Sequence, residues 1–356
     1  MNDPFEPGLL SRLPDPPQKI AVLRASRIGD FTCATPAFRA LRAALPEAEI
    51  TIITLPMLKD LAVRSPHFDR FAAFPGFPGI AEQFFEARRA ANFFQTMQAK
   101  NFDLAIQLQG SGVYSNPFTL LLGAKAAAGY IRPGDSPGLL DAVLPIPEDG
   151  HEIHRVLALI EFLGASPQGD SLDFPLWQAD IEEAGRRLRG AKPPLIGLHP
   201  FSRQKTRQWP MERFAAAARL IWQAHGGTVI GLGEQADRQA MAQVLQEVEG
   251  PALNLAGRTT LGGLGAVIDR LAVLLTNDSG PAHIAYARGA PTVVIFGSDT
   301  PLRYGPLQPG PFRVLAHPVE CRPCEHSECP VGYTCLEGIS VEMVVEAANE
   351  IIKAND

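Results

Sequence analysis

An eight-residue polar turn, residues 276–283, has the sequence Thr-Asn-Asp-Ser-Gly-Pro-Ala-His and lies between two segments of different character. Residues 271–275 are apolar enough for a buried strand, and residues 282–288 are typical of a helix, which predicts a strand-to-helix turn. Backbone N–H groups at a helix start have no intrahelical partner and lie at the positive end of the helix dipole, so such turns bind anions. A phosphate is the ligand that this chemistry suggests.

The same turn has a structural alternative. Asn277 or Asp278 could simply cap the helix, which is a common role for these residue types. The anion-binding hypothesis instead uses the first helical turn, where Pro281 presets the helical φ. Its candidate donors are Ser279, Gly280, Ala282 and His283.

A second candidate, Asp30, follows the first predicted strand in the segment Arg-Ala-Ser-Arg-Ile-Gly-Asp at residues 24–30. A carboxylate there could accept the proton of a hydroxyl nucleophile, and a general base supplies roughly 100- to 10,000-fold of rate. Asp30 could also cap the next helix or form a surface ion pair with Arg27, and the motif alone favours these structural roles.

Two further loops carry charges after predicted strands. Residues 202–210 place Arg203, Lys205 and Arg207 before a helix, where they either stabilise a leaving diphosphate or form a solvated basic loop. Residues 231–237, Gly-Leu-Gly-Glu-Gln-Ala-Asp, lack the complete G-x-G-x-x-G pattern. An acidic side chain there either binds ribose hydroxyls or favours the start of the next helix.

Strands that alternate with helices must position these loops. The pattern predicts an α/β protein of two doubly wound halves, each with a parallel sheet covered by helices. Ligands of such sheets bind beyond the carboxyl ends of the strands, so we expect a cleft between two facing halves. The apolar runs that read as strands lie at 19–24, 50–55, 104–107, 195–198, 228–232, 271–275 and 292–296.

Net charge and the N-terminal sequence narrow the class of protein. The net charge of -6 gives no reason to expect a nucleic-acid partner. The N-terminus lacks signal-peptide features, and no apolar run reaches the roughly 18 residues that span a bilayer, so we expect a cytoplasmic protein.

The sequence divides into four predicted parts. These are a flexible Pro-rich tail at 1–18, an N-terminal Rossmann-like domain at 19–175, a C-terminal one at 176–340, and a last helix at 341–356 that packs back on the N-terminal half.

Four cysteines crowd into residues 321–335 with the spacing C-x2-C-x4-C-x5-C. The number suits a tetrahedral thiolate site for structural zinc or an iron–sulfur cluster, but the usual pair of C-x2-C knuckles is absent. Disulfides are disfavoured in a reducing cytoplasm. Free buried thiols or a redox-labile loop are the favoured alternatives for Cys321, Cys324, Cys329 and Cys335.

Together the motifs resemble glycosyltransferase family 9, best known for the ADP-heptose:lipopolysaccharide heptosyltransferases. The resemblance implies a GT-B arrangement of two Rossmann-like domains, with the donor held mainly by the C-terminal one and the acceptor by the N-terminal one. The matching segments are R-A-S-R-I-G-D at 24–30, D-L-A-I-Q-L-Q-G at 103–110, Q-W-P at 208–210, L-A-G-R-T-T-L at 255–261, N-D-S-G-P-A-H at 277–283 and F-G-S-D-T-P at 296–301.

The resemblance also implies inverting transfer that requires no metal or other cofactor. Asp30 would be the base, and Asp278 would orient the donor sugar. Family members usually have Lys where Arg207 stands, so either Arg207 or the nearby Lys205 would stabilise the leaving group. The remaining implied donor contacts are Asp237 or alternatively Glu234 for the ribose, and Ser279, Gly280, Pro281, His283, His199 and Ser202; the acceptor-side residues are Ser26, Arg27 and Gly29.

The leading hypothesis is transfer of heptose from ADP-heptose to a lipid-linked or oligosaccharide acceptor of the lipopolysaccharide core, with peripheral contact at the inner face of the cytoplasmic membrane. The motifs suit phosphate and ribose better than they specify the sugar, so another nucleotide sugar is an alternative. A nucleotide-sugar-binding protein without turnover is a further one. Phe74, Phe84 and Phe85 are candidates either for lipid contact or for the core.

Overall fold

The computed structural model describes residues 3–324 and 326–355, except for the side chain of residue 355. The first two residues of the predicted tail and the last residue of the chain lie outside the described residues. The chain forms two compact units that divide between Leu172 and Asp173. Each unit contains one six-stranded sheet with helices between the strands, which confirms two Rossmann-like α/β halves.

The first unit builds its parallel sheet in the order β3-β2-β1-β4-β5-β6. Its strands are β1 (Lys19–Leu23), β2 (Glu49–Thr54), β3 (Arg70–Ala73), β4 (Leu104–Gln107), β5 (Ala126–Ile131) and β6 (Ala142–Pro145). Its helices are α1 (Leu9–Arg12), α2 (Ile28–Cys33), α3 (Thr35–Ala44), α4 (Lys59–Arg64), α5 (Ala87–Gln98), α6 (Ser115–Leu120) and α7 (Glu152–Phe162), with a 3₁₀ turn at Pro56–Leu58.

The second unit has a parallel sheet in the order β12-β11-β10-β7-β8-β9. Its strands are β7 (Leu195–His199), β8 (Thr228–Gly231), β9 (Ala252–Asn254), β10 (Val273–Asn277), β11 (Thr292–Phe296) and β12 (Phe312–Ala316). Its helices are α8 (Gln178–Arg187), α9 (Met211–His225), α10 (Arg238–Gln246), α11 (Leu261–Ile268), α12 (Gly280–Arg288), α13 (Pro301–Tyr304), α14 (Thr334–Glu337) and α15 (Val341–Asn355), with 3₁₀ turns at Lys205–Arg207 and Gln235–Asp237.

Both sheets have the same strand order when each unit is counted from its own first strand. The order reverses between β1 and β4 in the first unit and between β7 and β10 in the second. The loops after these neighbouring strands run to opposite faces of the sheet, which leaves a crevice at the carboxyl ends. The fold therefore predicts one ligand-binding edge in each unit.

The last helix packs in the core of the second unit, so the prediction that it packs on the N-terminal half was wrong. Its buried residues recur at helical spacing and contact α9 and the second sheet. This stripe gives α15 an apolar face that its own unit covers. The buried residues are Val344, Ala347, Ala348, Ile351 and Ile352.

The N-terminal segment is packed where the structure describes it, which corrects the prediction of a flexible tail. Leu9 is buried, and the backbone N–H groups of Gly8 and Leu10 donate to the carbonyl groups of Phe162 and Leu163 at 2.8 and 3.0 Å. This short helix thus covers the end of α7. In the described ranges no helix is long and apolar enough to cross a membrane.

Candidate active site

The polar turn of the second unit follows β10, beside the point where the strand order reverses. Ser279 occupies the N-cap position of α12 with an extended φ of -159° and caps without a side-chain hydrogen bond. Asn277 is fully buried and turns inward: its Nδ2 donates to the Pro200 carbonyl at 2.8 Å, and its Oδ1 accepts from Trp209 N at 3.0 Å. The alternative in which Asn277 or Asp278 caps this helix was therefore wrong.

One of the four predicted anion donors is already engaged. The Ala282 N–H donates to the Ser279 carbonyl at 3.0 Å, so it is not the donor that we expected. Pro281 is the second residue of α12 and Gly280 the first, as the turn chemistry predicts. The candidate anion site is thus narrower than the sequence suggested and centres on Ser279, Gly280 and His283.

Arg207 lies next to this turn and contacts two carboxylates. Its Nη1 is 3.6 Å from Asp278 Oδ2, and its Nη2 donates to Asp299 Oδ2 at 2.5 Å. The Asp278 side chain is 3% exposed and the Arg207 side chain 30% exposed. Asp278 also lies 3.8 Å, Oδ1 to Nε2, from His283. Arg207 therefore presents a cation at the start of α12 while it compensates two acidic neighbours.

Asp299 is a member of this cluster that sequence reasoning missed. Its side chain is 10% exposed, and the F-G-S-D-T-P segment that carries it is a family mark that on its own assigns Asp299 no role. The available signal was an acid three residues after the apolar run at 292–296. The ring of Tyr304 from the same segment lies 6.0 Å from Arg207 Cζ, at the limit of a cation–π contact.

Lys205 does not join the cluster. Its Nζ lies 2.9 Å from Glu328 Oε1 in an exposed ion pair, and this partner raises the pKa of the lysine. Of the two cations that the sequence left open, the structure places Arg207 beside Asp278.

His199, at the end of β7, contacts the turn through hydroxyl groups. Its Nδ1 is 3.3 Å from Ser279 Oγ and 3.4 Å from Thr276 Oγ1. Burial lowers the pKa of His199 to about 4, so the imidazole is neutral at pH 7. A neutral ring can orient the Ser279 hydroxyl by hydrogen bonding without adding a charge. Ser202, in the loop after β7, is half-buried.

Both acids of the Gly-rich turn after β8 serve the turn itself, because Glu234 and Asp237 form a capping box around its 3₁₀ helix. Asp237 Oδ2 accepts the Glu234 N–H at 2.8 Å, so this carboxylate stabilises its own 3₁₀ turn. Glu234 is exposed at the same turn. This turn therefore does not separate the two acids, and Asp237, which the resemblance favours, and Glu234 both stay candidates for the ribose hydroxyls.

In the first unit, Asp30 lies in the first turn of α2, and its side chain is 39% exposed. The alternative in which Asp30 caps the next helix was wrong. The N-cap of α3 is Ala34, and Arg27 pairs with Glu82 at 3.0 Å. Instead Arg24 Nη2 donates to the Asp30 carbonyl at 2.9 Å and lies 4.0 Å from Asp30 Oδ1.

Two predicted acceptor-side neighbours flank this carboxylate in sequence. Gly29 is in the first turn of α2. Ser26 is buried, and its Oγ has no hydrogen-bond partner among the residues that the structure describes. A buried hydroxyl without a protein partner is costly unless a ligand or water contacts it, which suits a binding edge.

The cysteine segment gives no support to a metal site. Across residues 3–324 and 326–355, no group of three or more His, Cys, Asp or Glu side chains is placed to hold a metal ion. Cys335 is buried, and burial raises the pKa of its thiol, whereas Cys321 is exposed. Cys329 Sγ accepts the Tyr333 N–H at 3.1 Å, and the Cys324 N–H donates to the Ser298 carbonyl at 2.8 Å.

Comparison with known proteins identifies the family. Residues 90–334 match glycosyltransferase family 9, described as heptosyltransferase. The chain belongs to glycosyltransferase family 9. It is therefore a glycosyltransferase.

Individual relatives match over different lengths. The chain is 30% identical to lipooligosaccharide heptosyltransferase 2 of Campylobacter jejuni over 170 residues, and so spans about half (53%) of that relative. It is 24% identical to lipopolysaccharide heptosyltransferase 3 of Escherichia coli over 345 residues, which is 91% of this chain and 95% of the relative. Among solved structures, the ADP-heptose lipopolysaccharide heptosyltransferase II of Escherichia coli matches with a TM-score of 0.77 at 22% identity, covering 95% of this chain and 99% of that one. The last match supports the GT-B type of fold.

Proposed function

We propose that the protein transfers heptose from ADP-heptose to a hydroxyl group of a lipopolysaccharide-core acceptor, with inversion at the anomeric carbon. Family membership supports the transfer of heptose in general, and the solved relative from Escherichia coli is named for ADP-heptose. The observation that carries the proposal is the position of Arg207 beside Asp278 at the start of α12. A cation next to a helix N-terminus is suited to a diphosphate.

In the reaction, the acceptor oxygen attacks the anomeric carbon as the bond from that carbon to the diphosphate oxygen breaks. Asp30 takes the proton of the attacking hydroxyl, and ADP leaves with the bonding electron pair. Arg207 and the N–H groups of the first turn of α12 stabilise the negative charge that grows on the diphosphate. This stabilisation requires no metal, so we expect turnover to persist in excess chelator.

In this proposal, residues of the second unit hold the donor. Asp278 orients the sugar hydroxyls, while Ser279, Gly280 and His283 hold the diphosphate. Asp237, or alternatively Glu234, binds the ribose. We place the acceptor beside Asp30 and the buried Ser26 hydroxyl.

The acceptor is lipid-linked in this proposal, so the protein works in the cytoplasm at the inner membrane surface. Of the aromatic residues considered for lipid contact, Phe74 is fully buried and belongs to the core. Phe84 is 85% exposed and Phe85 38% exposed, so these two are the candidates for a peripheral contact.

A product assay tests the proposal. The purified protein is incubated with lipopolysaccharide-core fragments and a panel of ADP-, UDP- and GDP-sugars, and products are read by mass spectrometry. We expect a heptose adduct with ADP-heptose only. Efficient transfer of another sugar would replace the donor assignment, and binding of every donor without a product would indicate a nucleotide-sugar-binding protein.

The base is tested separately with Asp30→Asn. This variant should bind ADP-heptose normally but lose transfer by at least about 100-fold, because the acceptor hydroxyl has no proton acceptor. Asp60→Asn is the matched control, since Asp60 has a similar side-chain exposure of 38% and pairs with Arg64 within α4. Wild-type turnover by Asp30→Asn would remove the residue from this role.

A further inference from the structure

A buried chain of charged groups leads from Asp30 to α7. Arg24 Nη2 lies 4.0 Å from Asp30 Oδ1 and 3.3 Å from Glu152 Oε1. Glu152 Oε2 in turn lies 2.9 Å from Arg155 Nη1. The side chains of Arg24, Glu152 and Arg155 are 5%, 9% and 10% exposed, so water screens these charges only weakly. The chain joins residues 128 positions apart in sequence.

The Arg24 guanidinium is fixed by backbone groups as well as by acids. Its Nη1 donates to the Leu108 carbonyl at 2.5 Å, and its Nη2 donates to the Asp30 carbonyl at 2.9 Å. The Arg24 carbonyl accepts from Thr54 Oγ1 at 2.7 Å. Arg24 therefore connects the ends of β1, β2 and β4 to the first turn of α2.

Glu152 gives one carboxylate oxygen to each arginine. Arg155 is held from the other side, because its Nε donates to the Pro147 carbonyl at 2.7 Å. The hydroxyl of Tyr130, on β5, accepts the Leu159 N–H at 3.0 Å and so anchors α7 to the sheet. Glu152 is thus held between Arg24 at the end of β1 and Arg155 on α7.

We propose that Glu152 is a positioning residue for Asp30, holding Arg24 in place and compensating part of its charge so that the Asp30 carboxylate remains an effective proton acceptor. The inference rests on the proposed role of Asp30 as base.

The charges explain why the compensation matters. The net charge next to Asp30 is +1, from the guanidinium groups of Arg24 and Arg155 and the carboxylate of Glu152. Without the Glu152 charge it is +2. A carboxylate beside an uncompensated buried cation holds a proton less readily and is a weaker base. Further charged or titratable groups on α2, on α7 and on the adjoining sheet include Arg27 with its partner Glu82, Cys33, His151, His154, Glu161 and Tyr130.

Glu152→Gln tests the inference, because it keeps the shape and an acceptor oxygen but removes the charge. We expect kcat to fall by about 10-fold and the acidic limb of the kcat–pH profile to move to lower pH. The KM for the nucleotide sugar should not change, since the proposed donor contacts belong to the second unit. Glu152→Asp restores the charge and should return the acidic limb toward its wild-type position.

Arg155→Gln provides the opposite perturbation. Without Arg155 the Glu152 carboxylate compensates Arg24 alone, so the acidic limb should move to higher pH. A residue that merely stabilised the fold would not shift the two profiles in opposite directions. Removing one partner of a buried ion pair can prevent folding. If Glu152→Gln does not fold, the Arg155→Gln profile decides alone, and an unchanged acidic limb overturns the inference.

Asp69→Asn is the matched control in the same unit. Asp69 pairs with Arg42 and accepts the Ile50 N–H, so its loss affects stability without reaching Arg24. Its kcat–pH profile should match the wild type. Asp30→Asn separates the two proposals: if it keeps turnover, the proposed function fails, whereas if it is inactive and both α7 variants keep the wild-type profile, only the role of Glu152 fails.

Discussion

Replacement of Arg207 by Gln removes a guanidinium group that lies 3.6 Å from Asp278 Oδ2 at the start of α12. Loss of one preorganised donor to a developing negative charge costs roughly 100- to 1,000-fold in kcat, or about 2.7–4 kcal/mol. Because the Arg207 side chain is 30% exposed, water replaces part of its effect. We therefore expect a loss near the lower limit, about 100-fold.

The same change also has a cost in stability. Asp299 and Asp278 lose a shared guanidinium, and hydrogen bonds to charged groups contribute about 1.5–3 kcal/mol each. Partial exposure reduces this value, so we expect a loss of about 1–2 kcal/mol. For a unit of this size that corresponds to a fall in Tm of roughly 2–8 °C. Turnover must therefore be measured well below the Tm of the variant.

The assay compares three variants by ADP release and by calorimetry. Arg207→Lys keeps the charge, but a single ammonium cannot contact both carboxylates as the guanidinium does, so intermediate turnover is expected. Lys205→Gln breaks only an exposed ion pair with Glu328 and should have little effect on kcat. A larger loss in Lys205→Gln than in Arg207→Gln would refute the assignment of the leaving-group cation.

Two further predictions concern the loops that support this cluster. Burial lowers the pKa of His199 to about 4 from 6.5, so the unfolded chain binds the proton more readily and stability falls as the pH falls from 6.5 toward 4. His199→Gln should flatten this dependence in urea unfolding, and an unchanged slope would contradict the assignment. A Cβ on Gly297 would lie 2.3 Å from the Thr206 carbonyl and 3.1 Å from Arg207 Cα. Gly297→Ala should therefore cost about 1–3 kcal/mol and weaken ADP binding measured by calorimetry; Gly185→Ala, whose nearest contact is 3.6 Å, is the control, and equal effects would count against the close approach.

The elements that the sequence predicted well are those whose signal is local. Each central strand is an apolar run bounded by turn residues, and the turn at 276–283 combines a strand end, a Ser and a Pro within one segment. Such patterns depend on residues that are neighbours in the sequence, so tertiary contacts do not change the structure that they predict. The alternation of these runs with helices was sufficient to predict two parallel sheets.

The features that the sequence did not predict depend on distant partners. The apolar stripe of α15 shows that one face is buried but does not specify which unit covers it. Glu152 begins α7 and looks like a helix-start acid, because Arg24 lies 128 positions away. Asp30 had two plausible local roles, and the sequence does not show that Ala34 rather than Asp30 is the N-cap of α3.

Backbone hydrogen bonds position the segment that carries Arg207, and the ion pairs act on its side chain. Partly exposed ion pairs contribute about 0–1 kcal/mol each. The segment around Arg207 is fixed on both sides: the Trp209 N–H donates to the buried Asn277 side chain at 3.0 Å, and the Thr206 carbonyl accepts the Ser298 N–H at 2.9 Å. Because these contacts do not depend on a ligand, the cation is in position before the diphosphate binds, and its stabilising effect on the leaving group requires no rearrangement of the loop.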